Sequence, residues 1–271
     1  MSTQGDKARA FRQLHVPGTP LLMPNPWDRG SAVVLASLGF KALATTSSGL
    51  AATLARRDGG VTRDQALAHA ADLSAATDVP VSADLESGFG TTAQDVGETA
   101  RLAVATGLAG FSIEDASGDA AAPVYDLDTA VARVAAAVAH KGDLVLTARA
   151  ENYLHGRRDV DDTIARLTAY ADAGADAVFA PGMRELAEIE RVVRAVPLPV
   201  SVLLLPGGPD VKALASVGVA RISVGGAFAF VALGALVDAA TELLEAGTVS
   251  AWELAGRGVA ASKVAFPEAG A

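Results

Sequence analysis

The sequence predicts an α/β chain of the (β/α)8 TIM-barrel class, forming a single domain over residues 1–271. Short apolar runs alternate with longer Ala/Leu-rich segments charged at helical spacing, the pattern of strand–helix units in a parallel sheet. About eight such runs occur, and a chain of this length is ordinary for a closed barrel. No dinucleotide-binding glycine fingerprint accompanies them, which favours the closed barrel over an open doubly wound sheet.

The strand candidates are PLLMPN (20–25), ALATTSS (42–48), VPVSADLE (79–86), GFSIED (110–115), LVLTARAE (144–151), AVFAPG (177–182), PVSVLLL (199–205) and ARISVGG (220–226). TRDQALAHAADLSAAT opens with a threonine and an acidic first turn, and DVDDTIARLTAYADAGA starts on aspartates and ends at Gly174, as helices do. ASLGFKAL, ATGLAGF, ADAGADAV and ASVGVARI each place glycine between a helix and the following strand, giving the short connections of such folds. Residues 1–18 form an N-terminal segment and 227–271 a C-terminal helical extension. The first part of that extension, FAFVALGALVDAATELLEAG, is more apolar than one barrel-facing stripe requires. It reads either as a thick outer helix or as a surface packed on another subunit.

Lys plus Arg total 22 against 31 Asp plus Glu, a formal charge of −9, and no basic cluster follows a phosphate backbone. Nucleic acid and anionic membrane are therefore poor partners. The chain has no cysteine, which excludes disulfides, thiolate metal sites and thiol chemistry. The amino terminus lacks a signal-peptide core, and no apolar segment reads as long enough to span a bilayer without charges or glycine pairs, so a cytoplasmic protein is expected.

Active sites of barrels lie at the carboxyl ends of the strands. The polar residues there are Asn25, Trp27 and Asp28; Thr46, Ser47, Ser48 and Gly49; Asp84 and Glu86; Glu114 and Asp115; and Arg149, Glu151 and Asn152. Acids ending three consecutive strands converge at a mouth, where they would raise one another's pKa unless a cation neutralised them. Asp84 and Glu86, two apart on a strand, should face one way with Glu114 beside them, a hard oxygen set suited to Mg2+ or Mn2+. Arg149 near the end of an inner strand suits an anion such as a carboxylate, or an internal pair with Glu151 or Glu114. Asp115 reads as a cap, a supporting residue or a functional one. Asp58 in a glycine-rich turn reads as turn chemistry, and His155 as a solvated loop residue. His15, His69 and His140 need no functional role. The glycine pairs in LLLPGGPD and SVGGAF fit either backbone phosphate binding or tight turns.

TTSSGLAATLARRDGG, SADLESGFG, GFSIED and LTARAENYLHGRRD, in that order on successive strands, resemble the isocitrate lyase and phosphoenolpyruvate mutase superfamily. The likeness runs from MPNPWDRGSA to RISVGGAFA. It implies a barrel whose last helix is exchanged between subunits of a homo-dimer or homo-tetramer. It also implies cleavage or formation of C–C or P–C bonds beside a carboxylate, through an enolate-like species held by Mg2+. By motif, Thr46, Ser47, Ser48 and Gly49 would bind the substrate's carboxylate and oxo group, with Asp84 at the same site. Asp84 would ligate the metal directly, Asp58, Glu86 and Glu114 would hold its waters, and Arg149 would clamp the substrate carboxylate.

Two departures narrow the reaction. Glu86 stands where the family usually has aspartate. The segment after the fourth strand, EDASGDAAAPVYDLD, lacks the lysine, cysteine and asparagine that the family's lids carry. A Mg2+-dependent lyase or hydrolase of a small 2-oxo or 2-hydroxy di-acid such as oxaloacetate is the expectation. A non-catalytic 2-oxo acid-binding barrel and a P–C bond enzyme of the phosphonopyruvate/phosphoenolpyruvate type are the alternatives. Tyr125 is the lid residue with a proton to give, alongside Glu114 and Arg149 as catalytic candidates. Asp119 is the lid carboxylate, and both lid residues also read as packing or capping groups.

Overall fold

The computed structural model describes residues 3–266. Eight strands alternate with helices: β1 (Leu21–Met23), β2 (Leu43–Ala44), β3 (Val81–Asp84), β4 (Gly110–Glu114), β5 (Val145–Arg149), β6 (Ala177–Phe179), β7 (Val200–Leu203) and β8 (Arg221–Ser223). They form one sheet in the order β1-β8-β7-β6-β5-β4-β3-β2, and every neighbouring pair is parallel. The seam between β1 and β2 is bridged by the Ala44 N–H donating to the Pro24 carbonyl at 3.1 Å. The Asn25 amide reinforces it, donating to the Thr45 carbonyl at 2.9 Å. The result is a nearly closed barrel with helices between its strands, as the alternation predicts.

Around it lie α1 (Gln4–Gln13), α2 (Arg29–Ser37), α3 (Ser47–Thr53), α4 (Arg63–Ala76), α5 (Ala93–Ala103), α6 (Leu127–His140), α7 (Val160–Asp172), α8 (Leu186–Ala195) and α9 (Val211–Ser216). Side-chain caps start them where the sequence indicates. Thr62 and Gln65 cap α4 reciprocally, and Asp159 accepts from the amides of Asp161 and Asp162 at the start of α7. The main apolar core lies between strands and helices, while Phe11 of α1 plugs the barrel from below against Leu21, Met23, Ala44 and Val145. The strands are shorter than their apolar runs because the chain leaves the ladder early to build the mouth. The second run ends at Ala44, since Thr46 caps α3.

After β8 the chain continues into α10 (Ala227–Ala246) and α11 (Trp252–Ala265). Only Ala229 of α10 is buried, and Phe230, Val231, Leu236 and Leu244 are 51 to 87% exposed. By length and composition this helix would suffice to cross a membrane, although it is not free of charge. Its acids are few and late, at Asp238, Glu242 and Glu245. Exchange of this helix between subunits is an arrangement that a single chain does not display.

Candidate active site

A cavity of ≈ 190 Å³ opens at the carboxyl ends of the strands, bordered by Asn25, Thr46, Ser47, Ser48, Asp58, Asp84 and Arg149. Asp84 ends β3 and is an acceptor on its wall. Its Oδ2 receives the Ser47 N–H at 3.3 Å, and its Oδ1 receives the Glu86 N–H at 3.3 Å and Arg149 Nη1 at 3.1 Å. The Thr45 hydroxyl accepts the Asp84 N–H at 2.8 Å and ties β3 to the end of β2.

Glu86 reaches this region by a different route from the one its spacing suggests. The strand stops at Asp84, and Glu86 adopts φ +48°, a left-handed conformation costly for a side chain with a Cβ. Alternation along a strand therefore does not place it; a turn does. Arg133 of α6 holds that turn, donating through Nη2 to the carbonyls of Ser87 and Gly90. Backbone strain of this kind is retained where surrounding contacts over-determine it. Glu86 titrates near 7, raised by burial and then by the charges of Asp84 and Asp58.

Arg149 is 13% exposed, and each of its three nitrogens meets an acid: Nη1 Asp84 at 3.1 Å, Nη2 Glu114 at 3.1 Å and Nε Glu151 at 2.9 Å. One N–H remains on each Nη for an incoming group. Glu114 is held well above the usual carboxylate range by burial, with Glu151, Asp84 and Glu86 adding to the rise against the opposing pull of Arg149. Glu151 is raised by burial as well. One guanidinium thus faces Asp84, Glu114 and Glu151, while Glu86 and Asp58 add charge nearby, so the mouth is short of positive charge.

The donor set fits a divalent cation of the magnesium type. Among the described residues no three acids or histidines close into a ready-made cage. Asp84 and Asp58 border the cavity, while Glu86 and Glu114 do not; Glu114 meets Arg149, which does. Mg2+ keeps several waters and takes one or two carboxylates, which is what this spacing offers.

Of the other candidates, Thr46, Ser47 and Ser48 border the cavity, with the Thr46 and Ser48 hydroxyls 3.1 Å apart. Gly49 does not border it. Its N–H is capped by Thr46 Oγ1 at 3.4 Å, and a Cβ there would strike Thr46 Cγ2 and Trp27. Gly226 of the eighth-strand pair does border the cavity, and a Cβ on it would meet Ser48 Oγ at 2.5 Å, so close packing demands glycine. The Gly207–Gly208 pair lies elsewhere. Asp119 caps its own loop, accepting the Ala121 N–H at 2.8 Å.

Tyr125 is brought to a different place from the one its lid position suggests. It packs on the core beneath Arg133, whose guanidinium carbon is 4.5 Å from the ring centroid, and it does not border the cavity. Because its segment follows β4, sequence reading offers it either as the lid's proton donor or as a packing group, and the structure shows the packing. Bridging of Ala116 with Val124 folds that segment back and leaves the ring inward.

Asp115 proves to be an anchor behind the site. It is buried and accepts from the Glu151 N–H at 2.8 Å, Arg166 Nη1 at 3.0 Å and Tyr170 Oη at 2.6 Å. Arg133 and Arg166 went unremarked in the sequence. Their signal is a charge on an apolar helical face: Arg133 lies among Ala130, Val134 and Ala137, and Arg166 among Thr163, Leu167 and Tyr170.

An acid-rich mouth with hydroxyl donors and a guanidinium beside one aspartate, at the carboxyl ends of the strands, defines a barrel enzyme with a small polar site. The family model described as phosphoenolpyruvate phosphomutase matches residues 11–244, and the chain belongs to that family. Its relatives act on C–C and P–C bonds. A crystal structure of a protein assigned as a lyase/mutase from Burkholderia cenocepacia J2315 is 51% identical over 96% of each chain, with a TM-score of 0.91. The structure of 2,3-dimethylmalate lyase, a member of the PEP mutase/isocitrate lyase superfamily, is 29% identical, with a TM-score of 0.82 over 92% of this chain and 90% of that one. Oxaloacetate decarboxylase of Paraburkholderia xenovorans (strain LB400) is 36% identical over 187 residues, 64% of this chain and 60% of the relative.

Proposed function

We propose that the protein is a Mg2+-dependent lyase or hydrolase that cleaves a C–C bond in a small 2-oxo or 2-hydroxy di-acid of the oxaloacetate type. The observation that carries this reading is Asp84, held on the cavity wall by Ser47, Glu86 and Arg149 in a mouth whose acids outnumber its one guanidinium. Two of the relatives above are named for oxaloacetate and for a substituted malate, both four-carbon di-acid frameworks. Bound Mg2+ would supply a Lewis acid that draws off the negative charge developing on the 2-oxo group. Asp84 would hold that ion directly, with Asp58, Glu86 and Glu114 as acceptors for its waters. Ser47 and Ser48 would orient the substrate head by their hydroxyls, and the free N–H groups of Arg149 would complete the polar wall. Manganese would serve the same donor set.

The test is a panel of oxaloacetate, substituted malates, methylisocitrate and phosphonopyruvate, assayed with Mg2+ and again after chelation. Turnover of one of the di-acids that stops on chelation is expected. Absence of turnover across the panel would overturn the reading. Tyr125 facing the core favours a second reading, a barrel that retains the acid without converting it. Metal-dependent binding by calorimetry with no product by NMR would select that one.

The exposed apolar face of α10 supports a homo-oligomer, with a second copy covering that face. Leu244→Glu and Val231→Glu together should lower the mass in light scattering to that of one chain, while an unchanged mass would remove this use of the helix.

A further inference from the structure

Arg221 lies on the floor of the same cavity, at the start of β8, and is 3% exposed. Its Nε donates to Ser201 Oγ at 2.8 Å and its Nη1 to Thr147 Oγ1 at 3.0 Å; Nη1 also lies 3.4 Å from His15 Nε2. His15 Nδ1 lies 2.8 Å from the Phe11 carbonyl, which accepts its proton and leaves Nε2 as the lone-pair side facing Arg221. The guanidinium carbon sits 5.9 Å from the Phe179 ring centroid, and Arg149 lies 5.1 Å from the same centroid.

Unlike Arg149 and Arg166, Arg221 has no acid beside it among the described residues: it has no salt-bridge partner there, whereas the buried Arg149 has three and Arg166 has two. Its Nη2 makes no hydrogen bond among the described residues and is not sealed from the cavity. Ser82 and Ser112 border the same floor, and their hydroxyls likewise have no partner among the described residues. A buried cation without an anion is costly, and hydroxyl dipoles and a neutral imidazole compensate for it only in part.

We propose that Arg221, with the Ser82 and Ser112 hydroxyls, forms an anion subsite on the cavity floor that takes the carboxylate of the di-acid farthest from the metal-binding head. This rests on the reading of the mouth as the head site. It makes Arg221 the residue that distinguishes a di-acid from a mono-acid, and it gives the polar barrel interior a use. The bound carboxylate would complete the guanidinium's unpaired edge and accept from the two serines.

Calorimetry on the Mg2+-loaded protein with malate and lactate, which share a 2-hydroxy acid head and differ in the second carboxylate, tests this. The wild type should prefer malate by on the order of 10- to 100-fold, the scale of a charge-assisted pair in a desolvated site. Arg221→Met should bring the two ligands within about threefold of each other with lactate affinity unchanged. Arg221→Lys, which keeps the floor's charge but loses the planar fork, should cut the preference by at least about threefold and so tests the point if the methionine variant does not fold. Folding is checked by thermal melting. If either folded variant keeps the wild-type malate preference, the floor subsite is overturned and the head site stands. If neither ligand binds the wild type with Mg2+, the head site fails and the subsite with it.

Discussion

Arg149 and Arg221 approach the same phenylalanine ring from the mouth and the floor of one barrel, and their surroundings are opposite. Arg149 is enclosed by Asp84, Glu114 and Glu151 and still leaves the mouth short of positive charge. Arg221 has hydroxyls, an imidazole and no acid, and its own pKa is lowered to about 9 by burial and by the charge of Arg149. The mouth therefore attracts a cation and the floor an anion. A small molecule that is itself two-ended, with a chelating head and a far carboxylate, matches both at once.

The largest effect should come from breaking the mouth at its centre. Asp84→Ala removes the acceptor that gathers Ser47, Glu86 and Arg149, and kcat/KM should fall about a thousandfold or more with the fold retained by circular dichroism. Residual turnover within tenfold of the wild type would show that another acid holds the centre.

Next is the contrast between the two arginines. Arg149→Met strands Glu114 and Glu151 as buried acids without a partner, a change that costs about 3–5 kcal/mol and should lower Tm by roughly 10 °C. Arg221→Met strands no acid and should lower Tm much less. Equal losses in the two variants would mean that the barrel interior responds to side-chain volume and not to charge.

The smallest effect concerns acid. His15 is 8% exposed and its pKa is lowered to about 4, first by burial and then by Arg221. The unfolded chain then binds a proton near pH 6.5 that the folded chain refuses until near pH 4. The stabilisation is fully present above about pH 6.5 and is lost as pH falls through that window, by about 3 kcal/mol. His15→Gln should flatten this part of the Tm profile between pH 7 and 4.5. A profile parallel to the wild type would show that the floor does not govern acid stability.

Much of this molecule is legible in the amino-acid order. Periodicity alone separates the eight strand runs from the helices, because a buried parallel strand needs a short continuous apolar run and a helix covering it needs one apolar stripe. Caps such as Thr62 and Asp159 are equally local, since side chain and amide lie within three residues. The candidate charged residues are legible too, because a barrel restricts chemistry to strand ends and Asp84, Glu114 and Arg149 stand there in sequence.

What the order of residues does not contain is where long-range partners meet. Glu86 was placed by strand alternation, yet a left-handed turn pinned by Arg133, 47 positions later, carries it. Tyr125 follows β4 like a lid residue, yet packing beneath Arg133 turns it inward. Asp115 gains its anchoring role only when Arg166 and Tyr170 arrive from α7. The pairing of Arg149 with three acids and of Arg221 with none is likewise a property of the closed barrel. Hydrophobic patterning is a one-dimensional signal that each segment carries by itself. The charge balance at a point in space is a sum over segments, and only closure of the barrel brings those segments together.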